Sequence, residues 1–175
     1  MKKQGTLENQ ANSVYLAFGS NLGDRKKNLN KALKLLNKEN VVIKSKSKLY
    51  RSKSWPNENF PEFINFVIFI ETNLNLKKLF LKIKNIESKV GRVKSKRNFP
   101  RVCDIDIIDF NSRIIQKKIG NNKINVPHEK MHCRNFVHYT QTVIMWILIC
   151  PLMNKLWRRM AFIQIRYSTL DGLAE

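Results

Sequence analysis

Asp104 and Asp106 stand two apart in the run Arg101-Val102-Cys103-Asp104-Ile105-Asp106-Ile107-Ile108-Asp109. Alternate residues of a strand share a face. The two carboxylates would therefore point one way while Ile105 and Ile107 point the other, into a core. Neighbouring carboxylates are costly unless a cation sits between them. A hard divalent cation meets that need best, and Mg²⁺ is usually held by one or two carboxylates plus substrate phosphates. Arg101, and the basic loop from Arg92 that leads into it, would supply charge for such phosphates. The chemistry this implies is that of a metal–phosphate site. The plainer reading is an apolar strand with two Asp on the wet side of a half-solvated sheet.

The elements that must position these residues follow from the hydrophobic pattern. Val14 to Phe18 reads as a short buried strand cut off by Gly19, followed by the turn Gly19-Ser20-Asn21-Leu22-Gly23-Asp24. Asp24 suits a helix N-cap, and Leu29, Ala32, Leu33 and Leu36 recur at helical spacing up to Asn37. The two glycines of the turn lack the Lys-Ser/Thr of a Walker A loop. Val41 to Tyr50 alternates as a second strand with a wet, basic face, and 51–61 reads as a loop around Trp55 and Pro56. Phe63 to Glu71 is a nearly continuous apolar run, interrupted by Asn65, and predicts a central strand. Leu79, Phe80, Ile83, Ile86 and Val90 mark a second helix, stopped by Gly91. Ile114-Ile115 and Ile124 to Val126 suggest short strands, ended by Pro127-His128. Strand–helix–strand occurring twice predicts an α+β fold: a ferredoxin-like split βαβ core, one antiparallel sheet with helices packed on it.

Composition narrows the setting. The 175 residues suit one domain that buries its own core. Residues 1–13 are polar and read as a flexible arm without the apolar stretch of a secretory signal. Cys103, Cys133 and Cys150 show no pairing pattern and read as reduced thiols, which points to the cytoplasm. The apolar run from Val143 to Met153 is too short to span a bilayer. A net charge of +20 favours acidic partners: nucleic acid, an anionic membrane surface or a polyphosphate substrate. The lysines are spread over every segment rather than gathered in one patch.

Four blocks then carry a resemblance. They are Ala17-Phe18-Gly19-Ser20-Asn21-Leu22-Gly23-Asp24-Arg25, Phe63-Ile64-Asn65, Ile86-Glu87 through Gly91-Arg92, and Pro100-Arg101 through Asp104-Ile105-Asp106-Ile107. Pro127-His128 and Arg134-Asn135-Phe136-Val137 follow the last block. In this conjunction, over roughly residues 14–137, the chain resembles the 6-hydroxymethyl-7,8-dihydropterin pyrophosphokinase family. The resemblance implies pyrophosphoryl transfer from the co-substrate ATP to the pterin hydroxymethyl group, with release of AMP, in folate biosynthesis. It implies Asp104 and Asp106 as ligands of two Mg²⁺ ions, catalytic together with Arg92 and Arg101. It places Arg92, Lys94 and Arg101 on the triphosphate, Glu87 on the nucleotide side, and His128 and Arg134 closing on the phosphates. Gly19, Ser52, Phe63, Asn65 and Phe136 fall on the pterin side.

Read without the family, several of these residues have plainer roles. Asn65 is a satisfied polar group in a strand, Phe136 is core, and Gly19 and Ser52 serve turn geometry. Glu87 is a surface helix residue paired with Lys84 or Lys89, and His128 is a loop hydrogen-bonder. His128, His132 and Cys133 lack the second ligand pair that a zinc site needs.

The chain departs from the family pattern in several places, among them a shortened loop between Arg92 and Arg101 and Lys53-Ser54 in place of a Pro-rich pterin-side loop, for which Trp55-Pro56 partly substitutes. Lys94 stands where Arg is commoner, and Asn98-Phe99 where the family often has Trp. Residues 138–175 read as an atypical tail produced by a frame change. The implied protein is a cytoplasmic monomer acting on small molecules, with no nucleic-acid or membrane partner. Two other readings are a ferredoxin-like basic RNA-binding module, suggested by the charge, and an inactive remnant of the kinase.

Overall fold

The computed structural model describes residues 11–93, 95–96, 98–120 and 122–128. Nine elements follow in chain order: β1 (Asn12–Ser20), α1 (Arg25–Leu36), β2 (Val41–Lys46), β3 (Tyr50–Ser52), β4 (Phe63–Thr72), α2 (Leu76–Val90), β5 (Asp104–Phe110), β6 (Ile115–Ile119) and β7 (Asn122–Val126). Local chemistry sets the helix ends. Asp24 caps α1 by accepting from the Lys27 amide at 3.0 Å, and Asn75 caps α2 by accepting from that of Lys78 at 2.9 Å. Gly91 ends α2 at φ +119°, in the left-handed region that favours glycine.

The main sheet runs β2-β4-β1-β5 with every pair antiparallel, and β3 adds to the end of β4. This is the ferredoxin-like order expected from the sequence. One face carries the helices over Leu16, Phe18, Phe66, Ile68 and Ile105, with Leu29 and Ile83 packed onto them. Phe18 and Phe66 are cross-strand partners whose rings stack at 4.7 Å. β6 and β7 form a separate hairpin.

The expected second strand from Val41 to Tyr50 is in fact two strands. The register of β2 on β4 shifts between Ile43 and Ser45. Ser47 then meets Val67 through its hydroxyl, which accepts from the Val67 amide at 3.0 Å, and its own amide donates to the Val67 carbonyl at 2.9 Å. A bulge and a side-chain bond thus interrupt the ladder before β3 resumes it. β1 also begins earlier than its apolar run suggests. The Ser13 amide is held by the Asn111 side chain at 2.7 Å, and the Asn12 side chain donates to the Leu74 carbonyl at 3.0 Å.

Register builds a row on the face away from the helices. Gly19 lies opposite Asn65 on one side and Asp104 on the other, and Asn65 lies opposite Tyr50. Ala17 is likewise flanked by Val67 and Asp106. Directly opposed residues share a face, so the sheet itself brings Asp104, Gly19 and Asn65 side by side.

Because Phe18 is fully buried in the helix-side layer, Phe18→Ala should cost about 3–5 kcal/mol of stability. Urea unfolding measures this, and a loss below about 1 kcal/mol would show that the layer repacks.

Candidate active site

Asp104 has two guanidiniums on it. Its Oδ1 accepts from Arg92 Nη1 at 2.6 Å and its Oδ2 lies 3.0 Å from Arg101 Nη1. The cations that two neighbouring carboxylates call for are therefore supplied in part by the chain itself. Asp104 is also buried, at 8% exposure, rather than lying on a wet face. Asp106, one row along, has His128 Nε2 at 3.7 Å from its Oδ1. His128 is held there by its amide, which donates to the Ile108 carbonyl at 3.3 Å.

Glu87 lies beneath this pair. It is 2% exposed, so it is not the surface residue that the helix pattern also allowed. Its Oε1 accepts from the Ile105 amide at 2.8 Å and from Arg92 Nη1 at 2.6 Å, and its Oε2 accepts from Lys84 Nζ at 2.8 Å. Burial is the largest influence on Glu87 and pushes its carboxyl above the ordinary glutamate value, against the pull of Lys84 and Arg92. Burial works against the charge of Arg92, but the Asp104 and Glu87 carboxylates outweigh it and hold that guanidinium above its usual value. One signal for this burial was present in the sequence. Glu87 is four residues past Ile83 and three before Val90, on the apolar stripe of α2. Nearby Cys103 is fully buried, which pushes its thiol up to about 12, so it stays protonated at neutral pH.

On the other side of Gly19, the Asn65 side chain donates to Ser52 Oγ at 2.9 Å. The Arg101 guanidinium lies over the Phe63 ring at 5.8 Å, close enough for a cation–π contact. Gly19 is what lets these groups approach. A Cβ there would meet Asn65 Oδ1 at 2.9 Å and Phe63 Cδ1 at 3.4 Å. Gly19, Ser52, Phe63, Asn65, Glu87, Arg92, Arg101, Asp104, Asp106 and His128 thus gather where one end of the sheet meets the last turn of α2 and the adjoining loops. Lys94, Arg134 and Phe136 lie outside the described residues, as do the tail 138–175 and the first ten residues.

Sequence reasoning missed Asn21. It is 2% exposed and bonds to both backbone groups of Arg101. A turn Asn more often bonds its own neighbouring backbone, and nothing in the local pattern signals a partner 80 residues away. It also missed the ring contact of Phe60 with Phe99 at 5.5 Å, which joins the loop before β4 to the loop before β5.

A family model described as 7,8-dihydro-6-hydroxymethylpterin-pyrophosphokinase (HPPK) matches residues 15–145. The 2-amino-4-hydroxy-6-hydroxymethyldihydropteridine pyrophosphokinase of Aquifex aeolicus is 38% identical over 143 residues, 82% of this chain and 86% of that one. Its counterpart from Haemophilus influenzae is 36% identical over 126 residues, 71% of this chain and 76% of that one. Among solved structures, a Plasmodium falciparum HPPK-DHPS with pterin and p-hydroxybenzoate superposes at a TM-score of 0.56 and 16% identity. That match covers 75% of this chain and 39% of the solved one, and it speaks for the fold alone. Sheet order, charged face and relatives together define an enzyme of the pyrophosphokinase class. The chain belongs to the 7,8-dihydro-6-hydroxymethylpterin-pyrophosphokinase family.

Gly19→Ala should lose about 1–3 kcal/mol of stability, because the methyl group must displace Asn65 from Ser52. Unchanged urea unfolding would mean that Asn65 moves aside freely and is not held in its row.

Proposed function

We propose that this chain transfers the pyrophosphoryl group of ATP to the hydroxymethyl oxygen of 6-hydroxymethyl-7,8-dihydropterin, releasing AMP, as a step of folate biosynthesis. One observation carries the reading: Asp104, Gly19 and Asn65 share a row, with Arg92 and Arg101 gathered on Asp104. Family membership and the two relatives support the same reaction. In it the alcohol oxygen bonds to the β-phosphorus, the bond from that phosphorus to the AMP oxygen breaks, and the alcohol proton is lost. Such transfers depend mostly on positioning and on charges placed where the phosphate charge develops.

Each residue has a part in this reading. Arg92 and Arg101 bind the triphosphate, and Arg101 has a donor to spare because its Nε is buried without a hydrogen-bond partner. Lys94, His128 and Arg134 join them on the phosphates. Asn65 reads the mixed donor and acceptor edge of the pterin, since an amide offers both. Phe63, Ser52, Gly19 and Phe136 complete that side. Glu87 takes its place on the nucleotide side through Arg92, which it holds at 2.6 Å.

The donor set fits Mg²⁺. Among the described residues no three His, Cys, Asp or Glu side chains gather as a metal group. Two hard carboxylates remain, and phosphate oxygens complete a Mg²⁺ shell in such sites. Asp104 and Asp106 would hold two ions, which when bound neutralise the phosphate oxygens of the substrate. The same reading makes the protein a cytoplasmic monomer acting on small molecules, with no nucleic-acid or membrane partner. Among the described residues no helix is long and apolar enough to cross a membrane.

Asp106→Asn should lower pterin-dependent AMP release by about a hundredfold or more, through the loss of an anionic metal ligand. Arg101→Ala should act mainly on kcat, by losing stabilisation of developing charge. Near-normal turnover in Asp106→Asn would remove the metal assignment. An effect of Arg101→Ala confined to the pterin KM would remove its phosphate role.

A further inference from the structure

Asn21 sits in the turn after β1 and touches two loops that border the site. Its Oδ1 accepts from the Arg101 backbone amide at 2.7 Å, and its backbone N–H donates to the Arg101 carbonyl at 3.1 Å. Its Nδ2 donates to Ser54 Oγ at 3.1 Å and to the Pro61 carbonyl at 3.2 Å. Ser54 Oγ in turn donates to the Pro61 carbonyl at 2.6 Å, closing a small ring of bonds. A side chain that is 2% exposed thus spends both ends of its amide on two different loops.

We propose that Asn21 is a positioning residue that holds Arg101 and the 54–61 loop in one register, tying the phosphate side of the site to its pterin side. The proposal rests on the function proposed above. Only an amide of this length suits the place. Aspartate cannot donate to the Pro61 carbonyl, and the shorter serine has a single O–H, which cannot donate to both Ser54 Oγ and the Pro61 carbonyl as Asn21 Nδ2 does. Arg101 is held at both of its backbone groups, so the placement of its guanidinium 3.0 Å from Asp104 begins at Asn21. Two further contacts brace the same assembly: Arg25 Nη1 donates to the Glu62 carbonyl at 2.7 Å, and Phe60 packs on Phe99. None of the hydrogen bonds of Asn21 described here reaches the hydrophobic core. They end on loops that carry or flank proposed substrate contacts.

The test separates the two ends of the amide in the full chain. Asn21→Asp keeps the acceptor for the Arg101 amide but sets a carboxylate against the Pro61 carbonyl. It should raise the pterin KM about tenfold while kcat and the ATP KM stay within about threefold. Asn21→Ala loses both ends and should also lower kcat by about thirtyfold, the scale of a misplaced catalytic group. Ser54→Ala, which leaves Arg101 untouched, should raise the pterin KM alone. A residue that serves only stability would instead lower Tm and kcat together, with both KM values unmoved, and that result would overturn the proposal. So would equal rises in the two KM values for Asn21→Asp. If Asn21→Ala does not fold, Asn21→Asp and Ser54→Ala carry the test.

Hydrogen exchange at the Arg101 amide needs no turnover. It should quicken in Asn21→Ala and stay slow in Asn21→Asp. A native chain without AMP release would count against the proposed function, and exchange would still decide the placement of Arg101. Protection kept in Asn21→Ala would sink the proposal independently of activity.

Discussion

The ion pairs on Asp104 are the constraint on which the rest of this structure depends. A carboxylate this buried is costly unless it is paired and hydrogen-bonded. Here Arg92 and Arg101 supply the pairing from two ends of one basic loop, one entering from α2 and the other leading into β5. Glu87 sets the geometry from below. By accepting from both Arg92 and the Ile105 amide, it locks the end of α2 to the start of β5. Removing one partner of such a network leaves a buried charge uncompensated, a loss of about 3–5 kcal/mol in buried pairs. The site and the helix–strand junction thus stand on the same bonds.

This arrangement also places the overall charge of the chain in context. A net charge of +20 spread over the surface says little about one partner. At the site the distribution is specific, with Lys84, Arg92 and Arg101 facing Glu87 and Asp104 at 3.0 Å or less. With Asp106 beside them, three cations face three carboxylates, a balanced cluster to which Mg²⁺ and phosphates would bring opposite charges together. Low exposure strengthens each of these interactions relative to water. In the proposed function, polyphosphate recognition rests on the placement of Arg92 and Arg101.

Much of this was legible in the sequence because it obeys simple periods. The alternation of Asp104 and Asp106 with Ile105 and Ile107 gave the correct face, and the apolar spacing gave both helices, with Asp24 and Gly91 at two of their ends; the Asn75 cap of α2 went unread. The strand–helix repeat gave the fold class, one antiparallel sheet with helices packed on it. What stayed hidden depends on contacts between distant residues. The break between β2 and β3 comes from a bulge and the hydroxyl of Ser47, neither of which disturbs the polar alternation there. Glu87 sat on a buried stripe, but its partners Arg92 and the Ile105 amide come together only in the fold. Asn21 and Arg101 are joined by a turn and a loop that carry no periodic signal. Lys94, Arg134 and Phe136 rest on the family pattern, since they fall outside the described residues.

The central claim is that one sheet row sets a pterin against the β-phosphate of ATP. Phosphorus NMR of the native chain with ATP, Mg²⁺ and 6-hydroxymethyl-7,8-dihydropterin tests this most directly, because it shows which phosphorus was attacked. AMP and a pterin diphosphate ester should appear in equal amounts, and neither without the pterin. ADP with a pterin monophosphate, or nucleotide consumption indifferent to the pterin, would contradict it.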